Sequence, residues 1–123
     1  MCKHYNIAAD MRLSGYELLK DTPTAVRVCT GIGPDWFPAW LRGAVTKVNI
    51  TLEPASWIHD MEYELGGGVF DRFMADVRFL VNCFRCACFF HSAKSLRRYR
   101  NMLQAMLLFV ALRLGGQAAF AWH

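Results

Sequence analysis

Apolar residues recur at three- and four-residue spacings along the second half of the chain, which is the period of an amphipathic helix. Trp57, Ile58, Met61 and Leu65 carry the pattern in a first helix opening near Pro54. Proline suits a first helical turn, and Thr51 or Glu53 stands nearby to receive unsatisfied backbone N–H groups. Gly66, Gly67 and Gly68 must end this helix, because each costs on the order of 1 kcal/mol relative to alanine inside one. Val69 restarts the pattern, and Phe73, Asp76, Val77, Leu80 and Phe84 extend it into a second helix reaching toward Ser92. A third helix is predicted from Lys94 to Leu114, ended by Gly115-Gly116.

The first half is less regular. Residues 1–24 read as an irregular or weakly helical lead-in, with a short helix around Gly15 to Lys20. Ala25 to Cys29 is a short apolar stretch, and Gly31, Gly33 and Pro34 then enforce a loop. From Ala44 to Leu52 polar and apolar residues alternate imperfectly, as in a short irregular or two-stranded β segment. The chain thus predicts one domain over residues 1–123. Its fold class is mainly α: an antiparallel helical hairpin core, the short β segment and a C-terminal apolar helix within residues 93–123.

Composition sharpens this picture. A hydrophobic fraction of 54% with 20% charged residues excludes a disordered chain and points to an apolar contact surface. The net charge of +4 is unevenly spread, with Lys94, Arg97, Arg98 and Arg100 falling within seven positions. The uncharged run from Asn101 to Leu112 follows them and is too short for a bilayer span, which needs about 20 apolar residues. A basic cluster beside an apolar helix suits an anionic membrane surface, a protein partner or a second copy of the chain. Nucleic acid phosphate would also suit the cations and is the less expected partner, and a plain solvated helix face is the alternative to both.

The five cysteines are Cys2, Cys29, Cys83, Cys86 and Cys88. Three of them share one predicted helix, whose geometry disfavours bridging neighbours, so they read as reduced thiols. With His91 they would offer zinc ligands, but Cys86 and Cys88 diverge by about 200° on a helix and cannot close one site. The N-terminus lacks the apolar core of a secretory signal, so the expected location is cytoplasmic, with peripheral attachment to a membrane through the basic cluster.

Candidate chemistry comes from the glycine turn. Two helices joined by such a turn pack antiparallel, and residues equally far from it lie side by side. His59 stands eight positions before Gly67 and Asp76 nine after it, so the two should be level. Tyr63 shares a face with His59, and Arg72 shares one with Asp76, because each pair is four apart. Asp76 can then orient the imidazole, which frees the other ring nitrogen to take a proton from water. Asp60 is turned about 100° from His59 around the helix and can face the Gly31-Ile32-Gly33 loop. A carboxylate with backbone carbonyls is oxygen-only coordination, which suits calcium.

His59-Asp60-Met61-Glu62-Tyr63, followed by a helix carrying Asp76, resembles the His-Asp-x-x-Tyr motif and later aspartate of the phospholipase A2 superfamily, closest to its small bacterial and fungal forms. The likeness covers Trp57 to Cys83 well. It implies calcium-dependent hydrolysis of phospholipid acyl esters, with His59 as general base, Asp76 and Tyr63 as its supports and Asp60 as a calcium ligand. Cys29-Thr30-Gly31-Ile32-Gly33-Pro34 is similar to the family's calcium loop and would make Gly31 and Gly33 further ligands. It departs by an inserted Thr30 and by Pro34 where glycine is expected. No cysteine flanks His59, so the family's disulfide between the catalytic helices is absent. These departures favour a second reading, a non-catalytic phospholipase-like module that binds a protein partner or itself.

Overall fold

A computed structural model describes residues 3–20, 24, 51–118 and 120–123. Among these residues the fold is mainly helical and contains no sheet. The alternating stretch from Ala44 falls outside them, apart from its last positions: Thr51 and Leu52 form a turn into the next helix. The Gly31 and Gly33 loop also lies outside the described residues.

The chain opens with α1, Lys3–Asp10, and a 3-10 turn over Tyr16–Lys20. The lead-in is therefore more ordered than its weak pattern predicts, for a tertiary reason. Ala8, Met11, Leu13 and Leu19 are buried, and Asn82 clasps the backbone of Ser14 through both halves of its amide, at 2.8 and 2.9 Å. Packing against the later helices, rather than local propensity, orders this segment.

α2 spans Glu53–Leu65 with Pro54 in its first turn. Its N-cap is Leu52, and neither Thr51 nor Glu53 provides a side-chain cap, contrary to the sequence expectation. The helix stops where the glycines dictate, since Gly66 and Gly67 adopt φ values of 70° and 134° that side chains resist. α3, Val69–Phe90, starts with the Gly68 N–H donating to Asp71 Oδ2 at 2.9 Å. α2 and α3 run antiparallel: Tyr63 meets Asp76, Glu62 meets Arg78, and the Ala55 backbone meets Cys86, each pairing farther from the turn.

α4 covers Leu96–Gly115 and is N-capped by Ser95, whose Oγ accepts from the Arg97 N–H. Ala105, Leu108 and Leu112 join Ile58, Met61, Phe79, Cys83 and Cys86 in the main core. Cys83 and Cys86 are free buried thiols, as the reduced reading expects, and Cys88 is a free exposed one. After a short 3-10 turn, Gly116–Ala118, the chain crosses the glycine turn. There the Gly67 N–H donates to the Ala121 carbonyl and the His123 N–H to the Gly67 carbonyl, each at 3.0 Å. In the C-terminal segment Phe120 is buried edge-on against Tyr63.

Candidate active site

The residues that the glycine turn predicts to be level do meet. Asp76 is fully buried on α3, and its Oδ1 lies 2.9 Å from His59 Nε2 and 2.6 Å from the Tyr63 hydroxyl, both on α2. The rings of His59 and Tyr63 are 4.1 Å apart, and Phe79 closes another side of the imidazole at 5.0 Å. The other carboxylate oxygen, Oδ2, accepts from Arg113 Nη1 at 2.8 Å.

These donors decide the charge of Asp76. Burial alone would push its carboxyl up, but the hydrogen bonds from His59 and Tyr63, with the Arg113 bond behind them, hold it below the ordinary carboxylate value. An ionised carboxylate can only accept, so Nε2 of His59 carries the hydrogen and donates it. Nδ1 is then the basic nitrogen, and it has no hydrogen-bond partner among the described residues. Tyr63 is a donor throughout, since burial and its bond to Asp76 raise the phenol beyond the usual range.

Arg72 reaches the seam, as helical spacing suggests, but lies against the Tyr63 hydroxyl rather than on the Asp76 carboxylate. Its guanidinium is buried and donates from Nη2 to the carbonyls of Leu112, at 2.6 Å, and Arg113, at 3.3 Å. It ties the last turn of α4 to α3, and Arg113 supplies the cation that reaches Asp76. Helical spacing does not mark Arg113 as a site residue. A lone charge among the fourteen residues from Asn101 to Leu114 was the available signal.

Asp60 stands apart from this cluster. It is half-buried, has no hydrogen-bond partner among the described residues, and burial pushes its carboxyl up to about 8. A desolvated oxygen donor of this kind fits a hard cation, whose charge would offset the cost of ionising it. Among the described residues no three His, Cys, Asp or Glu side chains converge on a metal position, which also leaves the Cys83, Cys86, Cys88 and His91 set without a common site.

The chain matches no protein-family model, curated protein or solved structure.

The expected contact surface divides in two. Lys94, Arg97 and Arg100 are exposed, but Arg98 turns inward, donating to the carbonyls of His91 at 3.0 Å and Cys88 at 3.2 Å. It serves the C-terminus of α3, where cations are favoured. Along α4, Tyr99, Leu103, Met106, Val110 and Leu114 form an exposed stripe at helical spacing, with Leu114 77% exposed. No described helix is long and apolar enough to cross a membrane.

Proposed function

We propose that the protein is an acyl-ester hydrolase of the phospholipase A2 type, with His59 as the base that activates water. The single observation that carries this reading is the buried His59–Asp76–Tyr63 cluster, which fixes the imidazole tautomer and leaves Nδ1 basic. The fully buried anion costs folding energy unless every donor is aimed at it, and such arrangements are characteristic of catalytic acid–base sites.

In the step, Nδ1 takes a proton from a water molecule, and the water oxygen forms a bond to the acyl carbon. The ester C–O bond then breaks, and the proton returns from Nδ1 to the leaving alkoxide, releasing a fatty acid and an alcohol. Asp76 stabilises the imidazolium that forms between these events without itself taking the proton. Calcium would be held by Asp60, together with the Gly31 and Gly33 carbonyls expected from the sequence. When bound, it supplies electrophilic stabilisation of the acyl oxygen. The exposed apolar stripe of α4 and the cations at its start suit attachment to an anionic lipid surface, where such substrates reside.

The test is release of fatty acid from phospholipid vesicles by the full chain with and without calcium, beside the His59→Gln variant. Calcium-dependent release lost in the variant, with an unchanged circular dichroism spectrum, is the expected result. Equal release by both proteins would remove His59 as the base. The non-catalytic reading gains from the same α4 stripe, which fits a partner's apolar surface as well. Absence of release by the native protein, with retention of a partner or a second copy through α4, would favour it.

A further inference from the structure

Arg113 occupies the last turn of α4, where the helix dipole already favours a cation and where an exposed guanidinium would satisfy it. Instead its side chain reaches back into the site and keeps 29% exposure. Nη1 donates to Asp76 Oδ2 at 2.8 Å, while the guanidinium lies over the Phe73 ring, 5.3 Å from its centroid. Its backbone is held as well, because Arg72 binds the Leu112 and Arg113 carbonyls from below. A chain of contacts therefore runs from α3 through the end of α4 and back to the buried carboxylate of α3.

The division of labour between the two carboxylate oxygens gives this arrangement its meaning. His59 and Tyr63 both meet Oδ1. Two donors on one oxygen restrain the carboxylate from one side only, and a twist about its Cβ–Cγ bond would turn the lone pairs away from the imidazole. A third donor on Oδ2 removes that freedom and also supplies the full positive charge that a buried anion needs. The other charged groups near the site do not substitute for it. Glu62 has the same sign as Asp76 and is paired with Arg78 at 3.4 Å, and Arg72 spends its donors on the carbonyls of α4 and the Tyr63 hydroxyl, whereas Oδ2 of Asp76 accepts from Arg113.

We propose that Arg113 is a positioning residue, which keeps Asp76 ionised and aimed at His59 through Oδ2. Its importance for turnover rests on the hydrolase reading, but its hold on Asp76 does not. The residue touches neither the water nor the ester, so its effect passes entirely through the carboxylate.

The experiment compares the native chain with Arg113→Met, which keeps much of the apolar stem, and Arg113→Lys, which keeps the charge. Carbon NMR follows the titration of the Asp76 carboxyl, and proton NMR follows the hydrogen-bonded ring N–H of His59 at low field. In Arg113→Met the Asp76 midpoint should rise by about one pH unit or more, and the ring N–H signal should broaden or vanish. Arg113→Lys should keep the midpoint near native while weakening the signal less. On phospholipid vesicles, kcat should fall about 10- to 100-fold in Arg113→Met with KM within about twofold. An Asp76 midpoint and a ring proton unchanged in Arg113→Met would overturn the proposal. Should that variant fail to fold, Arg113→Gln, shorter and uncharged, takes its place, and an Asp76 midpoint and ring proton that stay native in it would overturn the proposal too. A native chain without turnover would refute the hydrolase reading alone, because both NMR readouts remain decisive.

Discussion

Replacing Asp60 by asparagine tests the least ordinary carboxyl of the site. Burial raises this group from 3.8 to about 8, so the folded protein keeps a proton that the unfolded chain gives up near pH 4. Folding therefore takes up a proton between these values, and stability falls as pH rises through that window. It is highest below about pH 4 as far as Asp60 is concerned, and the loss is complete above about pH 8. Four pH units at about 1.4 kcal/mol each set a ceiling of roughly 5–6 kcal/mol. Water reaching a half-buried carboxyl lowers that, and about 2–3 kcal/mol is the expected size. The asparagine amide has no proton to lose in this range, so Asp60→Asn should unfold in urea like the native protein at pH 4 and be more stable at pH 8.5. Glu62, which burial also raises, to about 7, adds the same slope to both proteins and cancels in their difference. Calcium at pH 8 should stabilise the native protein by mass action and leave the variant unchanged. Two urea stability profiles that run parallel from pH 4 to 9 would refute the desolvation of Asp60, and calcium stabilisation of the variant would refute its role as ligand.

Other perturbations address other parts of the structure. Asp76→Ala removes the acceptor shared by His59, Tyr63 and Arg113, and should cost about 3–5 kcal/mol in denaturant unfolding, since it strands a partly buried guanidinium and a buried phenol. Gly66→Ala forces a side chain into φ 70° and into contact with the Ala121 carbonyl, so about 1–3 kcal/mol of stability should be lost, with faster hydrogen exchange at Gly67 and His123. Arg98→Ala should destabilise by about 1 kcal/mol without changing vesicle binding, because its donors serve the end of α3. Binding to anionic vesicles through Lys94, Arg97 and Arg100 should weaken sharply with salt in co-sedimentation, and a salt-independent interaction would point to the apolar stripe alone.

The sequence by itself determined the three long helices and the turn that joins two of them. Apolar spacing over 13 and 22 residues fixes α2 and α3 within a few positions, and three glycines leave the chain no alternative but to stop between them. From that turn the meeting of His59, Tyr63 and Asp76 follows by counting, since both helices advance at the same rise per residue. What lay beyond counting was any contact between elements that no short turn connects. The short helix near Gly15 to Lys20 was legible locally, but the tie of Ser14 to Asn82, more than sixty positions away, was not. Arg113 rather than Arg72 meets the Asp76 carboxylate, because a guanidinium reaches any acceptor within its long side chain's range and chooses by what α4 presents. Phe120 and the backbone of Ala121 close over the glycine turn for the same reason. Local sequence sets period and breaks, whereas the partner of a long side chain or of a loose terminus is set by how the helices pack, and only the folded chain contains that choice.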